Sequence, residues 1–392
     1  MLSCGEASGD LYAGALTRAL GVLDPGVTIA GLGGPQFAAA GGRLIDDCRD
    51  LAVTGLTEPL VKIPRLLKAL RRLVHAAKTE RPDALITIDY PDFNFRLGHA
   101  VKRLGIPVVY YIGPQIWAWR PRRLATIRRI ADRVLVIFPF EEALYRDGGV
   151  PVEFVGHPLV DLAAPSAPRE RFLAQHGLSP SAPTVAILPG SRPNEVSRIL
   201  PDLMAAAVRI RAEVPGTQFL LARAPHLHDS LFCKGSDPLQ SPGVMNRHDR
   251  MVVVEGDTDT VLASADVALT ASGTATVQAA LHDTPMVIVY RLSPLTYRLG
   301  RRLVTLETIG MVNLIAGERI VPELVQEAFT PDAVARQAIR MLTDRELTAR
   351  VRQGLARVRE RLGGPGASRR AAEAILRLVK DKGQHDAAPS KR

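Results

Sequence analysis

Short apolar segments, each followed by a small-residue turn and a helical stretch, recur along the whole chain. They lie at residues 85–88, 108–112, 134–138, 185–188, 218–222, 251–254 and 286–290. Apolar runs of this length without polar alternation predict strands buried on both faces, as in a parallel sheet covered by helices. An alanine- and proline-rich stretch at residues 163–168 separates two such series and indicates a linker. The sequence therefore predicts an α/β protein with two domains.

The length of 392 residues also favours two domains of ordinary size. We predict a first domain at residues 1–162 and a second at 163–345. Helices should follow at residues 346–380, and the last stretch, 381–392, has the composition of a disordered tail.

Composition limits the setting and the partners. The formal net charge of +10 favours anionic partners, but nucleic acid explains only the charge, because no reader motif or aromatic–basic surface accompanies it. No apolar run is long enough to span a membrane, and the first residues lack the features of a signal peptide. The three cysteines have no metal-ligand spacing. These features favour the cytoplasm.

The loop after the segment at 85–88 carries two carboxylates. Pro91 cannot donate to a strand ladder, so Asp89 and Asp92 should lie at the carboxyl end of the strand. Ligands bind at this edge of an open parallel sheet, where the pair could provide a general base and a group that orients it. Alternatively, Asp92 caps the next helix and Asp89 satisfies turn amides.

A similar turn stands at the beginning of the chain. Residues 2–10 read as a short strand, a glycine turn and a helix start capped by Ser8 or Asp10. The strand has few residues, which indicates either fraying or additional residues upstream. The helix N-terminus could bind an anion or a sugar hydroxyl, and tight turning alone is the alternative explanation of its glycines.

Two turns in the second half favour phosphate binding. Arg192 and Ser191 precede a helix and could clamp a phosphate, although the spacing is not that of a P-loop. Ser272, Gly273 and Thr274 would offer backbone and hydroxyl donors to a diphosphate at another helix start.

Three further features concern lipid or sugar partners. Trp117 and Trp119 share one loop and either anchor the core or form a wall for a sugar or an acyl chain. Residues 64–74 form a basic amphipathic helix that either lies on an anionic membrane or packs as an ordinary surface helix. A second basic cluster comprises Arg298, Arg301 and Arg302.

Seven motifs, in order, resemble those of the lipid-A-disaccharide synthases, over residues 5 to about 378. They are GEASGD (5–10), IDYPDFN (88–94), PQIWAW (114–119), GHP (156–158), LPGSR (188–192), ASGTA (271–275) and NLIAG (313–317). The resemblance implies the GT-B fold: two Rossmann-like doubly wound domains facing a central cleft, with the C-terminal helices packing back toward the first domain.

The resemblance also implies a reaction. UDP-2,3-diacylglucosamine would donate its sugar to 2,3-diacylglucosamine 1-phosphate (lipid X), giving lipid A disaccharide 1-phosphate and UDP by an inverting transfer that needs no metal or cofactor. The implied setting is the cytoplasmic side of the inner membrane of a Gram-negative bacterium, with the protein peripheral on the anionic membrane surface. Whether the chain forms a homodimer stays open.

Residue roles follow from the same resemblance. Asp89 would be the general base, and Arg192 would stabilise the departing diphosphate together with the turn at Ser272, Gly273 and Thr274. The remaining predicted substrate-binding residues are Glu6, Ser8, Asp92, Trp117, Trp119, His157, Ser191, Gln278 and Asn313. Members of the family usually carry glutamate where Gln278 stands, and that carboxylate holds ribose hydroxyls, so a glutamine should bind the ribose less strongly.

Two other functions remain compatible with the sequence. One is a different UDP-amino-sugar enzyme, a transferase or an epimerase, in which His157 would serve as acid or base. The other is a non-catalytic protein that binds a nucleotide sugar or a lipid, because fold does not fix function.

Overall fold

The computed structural model describes residues 1–50, 58–114, 123–225, 227–232, 250–291, 308 and 310–387. The chain divides into two compact units, one of residues 1–161 and 362–392 and the other of residues 162–361. Each unit contains its own sheet, and all strand pairs in both sheets are parallel. The predicted architecture of two α/β domains is confirmed.

The first unit has a seven-stranded sheet in the order β3-β2-β1-β4-β5-β6-β7. Its strands are β1 (Leu2–Cys4), β2 (Ala30–Gly33), β3 (Arg43–Asp47), β4 (Leu85–Ile88), β5 (Val108–Tyr111), β6 (Arg133–Val136) and β7 (Val152–Phe154). Its helices up to residue 162 are α1 (Ala7–Leu23), α2 (Pro35–Ala39), α3 (Glu58–Glu80), α4 (Pro91–Lys102), α5 (Arg123–Ile130), α6 (Pro139–Asp147) and α7 (Leu159–Leu162).

Burial explains the strand pattern of this unit. All residues of β4 and β5 are buried, as expected for central parallel strands covered on both faces. Beside them, Tyr110 and Tyr145 pack with Ile127, Ile130 and Val134 in one apolar cluster.

Two details of the first sheet differ from expectation. β1 is short, yet it pairs with β2 on one side and β4 on the other, so it is not frayed. β2 begins only at Ala30, although the apolar residues in the sequence at 27–30 would favour an earlier start.

The second unit has a six-stranded sheet in the order β10-β9-β8-β11-β12-β13. Its strands are β8 (Thr184–Leu188), β9 (Gln218–Arg223), β10 (Met251–Glu255), β11 (Val267–Ala271), β12 (Met286–Tyr290) and β13 (Glu323–Val325). Its helices are α8 (Arg169–Gln175), α9 (Pro193–Glu213), α10 (Thr258–Ala263), α11 (Thr274–Leu281), α12 (Met311–Ala316), α13 (Pro331–Thr343) and α14 (Arg345–Arg361).

The last helix, α15 (Ala367–Ala387), belongs to the first unit and packs on α1. The C-terminal helices are therefore divided, with α14 in the second unit and α15 in the first. We predicted disorder from residue 381, but α15 continues to Ala387, because a helix that has already formed over the alanine-rich residues before 381 extends at the cost of fixing one residue at a time. Within the described ranges, no helix combines the length and apolarity needed to cross a membrane.

Candidate active site at the two sheet edges

Both sheets have a topological switch point. β1 and β4 are neighbours in the first sheet, and β8 and β11 are neighbours in the second. The connections that follow the two strands of each pair run toward opposite edges of the sheet. A crevice therefore opens between them at the carboxyl ends of the strands. Most of the predicted site residues lie in the turns that follow these four strands or in the first turn of the next helix: Glu6, Ser8, Asp89, Asp92, Ser191, Arg192, Ser272, Gly273 and Thr274.

Asp89 lies in a strained turn directly after β4. Asp89 has φ +45° and Tyr90 has φ +50°, so two consecutive residues other than glycine adopt the left-handed region. Such a conformation costs of order 1–3 kcal/mol per residue and persists only where the surroundings enforce it. The Asp89 side chain is exposed.

A buried asparagine holds this turn. The Asn94 Nδ2 atom donates to the carbonyl oxygen of Asp89 at 2.7 Å and lies 3.3 Å from that of Ile88. The hydroxyl of Ser3 donates to Asn94 Oδ1 at 2.7 Å, and the Tyr110 hydroxyl donates to the Asp89 carbonyl at 2.8 Å. Residues from β1, α4 and β5 therefore fix the backbone that presents the Asp89 carboxylate.

The turn after β1 lies against the same region. A Cβ atom on Gly5 would come within 2.1 Å of the Tyr90 ring, so only glycine fits there. Burial, together with the charges of Glu6 and Asp92, raises the pKa of Tyr90 to about 12. Tyr90 also stacks on Phe93, with ring centroids 5.6 Å apart.

The start of α1 differs from the prediction. Glu6, not Ser8 or Asp10, occupies the N-cap position, and Ser8 lies half-buried in the first turn. The buried Asp10 carboxylate instead accepts from the amides of Gly34, Gln36 and Phe37 at 2.7–3.0 Å. Asp10 therefore caps α2, because the chain folds that helix start against α1.

Asp92 forms an ion pair. Its Oδ1 atom accepts from Arg123 Nη2 at 2.7 Å, and the Arg123 guanidinium also lies 5.7 Å from the centroid of the Phe95 ring. Asp92 stands in the first turn of α4 but does not provide its N-cap, which is Tyr90. The capping alternative for Asp92 is wrong.

His157 is buried after β7. Burial lowers its pKa to about 3, so the ring is neutral at physiological pH. Its Nδ1 atom accepts from the Leu159 amide at 3.1 Å, which assigns the proton to Nε2. The ring packs against Tyr12 and Phe138.

In the second unit, Arg192 stands at the N-cap position of α9 and donates to Glu195 Oε1 at 3.0 Å. Gly190 has φ +118°, and a Cβ atom there would lie 2.7 Å from Glu195 Oε2. Glycine at this turn therefore permits the close approach of Glu195. Burial and the Glu195 charge raise the pKa of Tyr290, whereas the Arg192 charge lowers it, so Tyr290 belongs to the same region.

The neighbouring turn presents the start of α11. Gly273 is its N-cap residue, and a Cβ atom there would meet no atom of the described residues within 4 Å. The Thr276 hydroxyl donates to the Gly273 carbonyl at 2.7 Å, and the Ser272 amide donates to Val289 at 3.0 Å. Two hydrogen bonds therefore hold this turn, while the space beside the Cα atom of Gly273 is open among the described residues.

Gln278 lies one turn into α11 and bonds to a residue that the sequence did not suggest. Its Nε2 atom lies 3.1 Å from both carboxylate oxygens of Asp259, in α10. His282 Nε2 lies 2.8 Å from one of the same oxygens. Asp259 is 19 residues from Gln278, so only the packing of α10 on α11 reveals the pair.

Asn313 is buried and its amide is saturated. Nδ2 donates to Val321 and Glu323 at 2.9 and 2.6 Å, and Oδ1 accepts from the amides of Ile320 and Val321. These four bonds use the full hydrogen-bonding capacity of the side chain. In this arrangement Asn313 supports the loop before β13 and has no group left for a substrate.

The remaining predicted residues lie outside the described ranges. They are Trp117 and Trp119 and the basic cluster of Arg298, Arg301 and Arg302.

Comparison with known proteins identifies the family. The model of the lipid-A-disaccharide synthetase family matches residues 1–378. The lipid-A-disaccharide synthases of Myxococcus xanthus and Geobacter metallireducens are 42% and 43% identical over 379 and 382 residues, covering 97% of this chain and of each relative.

Solved structures share the fold at low identity. S. aureus MnaA with UDP has a TM-score of 0.66 at 13% identity, covering 98% of this chain and 96% of that one. The calicheamicin glycosyltransferase has a TM-score of 0.59 at 15% identity, with coverages of 96% and 98%. Taken with the sequence match over nearly the whole chain, these findings place the chain in the lipid-A-disaccharide synthase family, as a GT-B glycosyltransferase of lipid A biosynthesis.

Proposed function

We propose that the chain transfers the sugar of UDP-2,3-diacylglucosamine to the 6-hydroxyl of 2,3-diacylglucosamine 1-phosphate, with inversion and without a metal. The observation that supports this best is the turn at Asp89. An exposed carboxylate stands on a strained backbone at the switch point of a sheet, held by Asn94 and Tyr110. Strain retained at such a place is typical of a functional group with a fixed position.

Asp89 is the general base of this proposal. It takes the proton of the acceptor hydroxyl as that oxygen bonds to the anomeric carbon of the donor. The bond from the anomeric carbon to the diphosphate breaks, and UDP leaves with the electron pair. Attack from the face opposite the leaving group inverts the anomeric carbon. A positioned base contributes about 10²- to 10⁴-fold to such a step.

Arg192 and the start of α11 hold the diphosphate. The leaving group gains negative charge, which a guanidinium and the amides of a helix N-terminus stabilise electrostatically. The open space in front of Gly273 admits the phosphate oxygens to the backbone. Gln278, one turn further on, accepts from the ribose.

The substrates carry acyl chains, so we also propose that the enzyme works at the cytoplasmic face of the inner membrane. The basic residues near the start of α3 support docking to anionic lipid, because exposed apolar side chains accompany them.

His157 does not suit the alternative in which it acts as acid or base. A pKa of about 3 keeps the ring in its neutral form at neutral pH, and Nδ1 already accepts from the Leu159 amide. Its packing favours a structural role.

The decisive experiment compares Asp89→Asn with Asp83→Asn. Asp83 is exposed at the amino end of β4, away from the site, and serves as the matched carboxylate control. Asparagine tolerates the left-handed backbone at position 89. With both lipid substrates and EDTA present, we expect the wild type and Asp83→Asn to form the β-linked disaccharide, as judged by NMR. Asp89→Asn should be slower by about 10²-fold or more.

Retained activity in folded Asp89→Asn would contradict the assignment of the base. Activity that disappears with EDTA and returns with a divalent metal would contradict metal-free transfer. If the folded wild type forms no disaccharide from these two lipids, the proposed substrates are wrong.

A further inference from the structure

The side chains of Asp259, Gln278 and His282 form a hydrogen-bonded group beside the start of α11. Gln278 Nε2 lies 3.1 Å from Asp259 Oδ1 and 3.1 Å from Asp259 Oδ2. His282 Nε2 lies 2.8 Å from Oδ1, and the side chains of His282 and Asp259 are 7% and 20% exposed. Gln278 follows Thr274 by four residues, so both lie on the same face of α11.

Chemistry fixes the orientation of the Gln278 amide. An ionised carboxylate offers only acceptors, so the amide must turn its NH₂ group toward Asp259. The amide oxygen therefore points away from Asp259. Among the described residues, no group donates to that oxygen. The Gln278 oxygen is therefore an acceptor that points away from Asp259. It lies on the same face of α11 as Thr274, at the proposed diphosphate site.

We propose that Asp259 is a positioning residue that holds the Gln278 oxygen outward, so that this neutral side chain accepts a hydrogen bond from the vicinal hydroxyls of the donor nucleotide's ribose. The inference rests on the proposed function, because it takes the donor to be a UDP-sugar. It assigns to Asp259 a part in donor recognition without contact to the donor. His282 holds the other side of Asp259 by donating to Oδ1.

Because the two side chains are in contact, the residue type that suits position 278 depends on the residue type at position 259. A glutamate at position 278 would place two carboxylates about 3 Å apart, and like charges at this separation are mutually unfavourable. Glutamine removes the repulsion and keeps the acceptor. If residue 259 were asparagine, its NH₂ group could donate to a glutamate at 278, and the pair would present an outward oxygen once more.

The test measures binding of UDP and of 2′-deoxy-UDP to the full chain by isothermal titration calorimetry. The wild type should prefer UDP by about fivefold to tenfold, the effect of one hydrogen bond. Asp259→Asn should reduce this preference, because asparagine can pair with either end of the amide and no longer holds the Gln278 oxygen outward. The double variant Asp259→Asn/Gln278→Glu should regain the preference. Asp332→Asn, an exposed carboxylate change in the same unit, is the control and should behave as the wild type.

The outcomes separate the two proposals. If the wild type binds no UDP, the proposed function fails and this inference fails with it. If the wild type binds and prefers UDP but Asp259→Asn keeps the preference, only the positioning role is wrong. If Asp259→Asn loses the preference and the double variant does not regain it, with both variants folded by thermal melting, Asp259 serves the structure of the unit and the inference is also overturned.

Discussion

At the scale of single residues, the position of the proposed base depends on Asn94, a fully buried side chain. Asn94 donates to the Asp89 carbonyl, and Ser3 in turn donates to Asn94. Two left-handed residues in sequence would relax without such support, since each costs of order 1–3 kcal/mol. The Asn94 amide therefore links β1, α4 and the end of β4, and so fixes the position of the Asp89 carboxylate.

We expect Asn94→Ala to lower kcat by about 10²-fold, because a base displaced by about 1 Å loses its alignment. The Km for the UDP-sugar should change little. Ser3→Ala removes only the bond that orients Asn94 and should act in the same direction with a smaller effect. Steady-state kinetics on both variants check this expectation.

The control for Asn94→Ala is Leu97→Ala, a buried change on the same helix. It should lower stability by about 2–5 kcal/mol without touching Asp89. An equal loss of kcat in folded Leu97→Ala would show that general loosening of α4, and not the Asn94 amide, sets the rate.

At the scale of elements, α3 combines two kinds of surface. Its later turns pack into the unit through Leu73, Ala76 and Ala77, all buried. Its earlier turns leave Ile63 and Leu67 each 43% exposed. Exposed basic residues surround these two: Arg65, Lys68 and Arg71. The ordinary packing face and the exposed basic–apolar face therefore occupy different parts of one helix.

We expect the double variant Ile63→Ser/Leu67→Ser to bind vesicles of phosphatidylglycerol and phosphatidylethanolamine about tenfold or more weakly than the wild type. Each apolar side chain buried in lipid contributes on the order of 1 kcal/mol. Val208→Ser, a 67% exposed valine on α9, serves as the control. Co-sedimentation at two salt concentrations measures the effect. Equal binding by the wild type and both variants would rule out docking through α3.

The elements that the sequence did not predict share a physical cause. Among the described strands, β3, β7 and β13 lie at the edges of the two sheets and each pairs with one neighbour. Their residues are half-buried or exposed, and their sequences, RLIDD, VEF and ELV, contain charged residues. The apolar run that marks a central strand is therefore absent at these edges. Central strands such as β4 and β5 were predictable because both of their faces are covered.

The site shows a similar division. The positions of Asp89, Arg192 and the Ser272 turn at the ends of strands could be predicted, because these residues follow apolar runs directly. Their roles in the site stay predictions. Asn94 reaches Ser3 across 91 residues and Gln278 reaches Asp259 across 19. No one-dimensional pattern encodes such partnerships, since they depend on which strands and helices become neighbours.

At the scale of the whole molecule, residues 1–161 form most of the first unit and residues 162–361 form the second. The residues from 362 onward belong to the first unit again. Asp161 accepts from the amides of Gly366 and Ala367 at 2.9–3.1 Å and so caps the start of α15. Arg370 donates to the carbonyls of Val155, Pro365 and Gly364, and Arg377 pairs with Glu153 at 2.8 Å. These hydrogen bonds and this ion pair hold α15 at the end of β7, and α15 also packs on α1.

This path predicts that the two units differ as isolated fragments. Residues 162–361 are continuous and contain a complete six-stranded sheet with its helices, so this fragment should fold alone and melt cooperatively. Calorimetry should show that it binds UDP, with an affinity within about tenfold of the full chain, if the diphosphate and ribose contacts all come from this unit.

Residues 1–161 lack α15, whose buried Ala371, Ala372 and Ile375 belong to the core of the first unit. This fragment should expose the apolar face of α1 and bind a hydrophobic dye, and a peptide of residues 362–387 should suppress that binding. Circular dichroism and dye fluorescence measure both effects. A fragment 1–161 that melts cooperatively without the peptide would show that α15 contributes little to its unit. An unfolded fragment 162–361 would show that the second sheet needs the rest of the chain, and its UDP binding could then be measured only in the full protein.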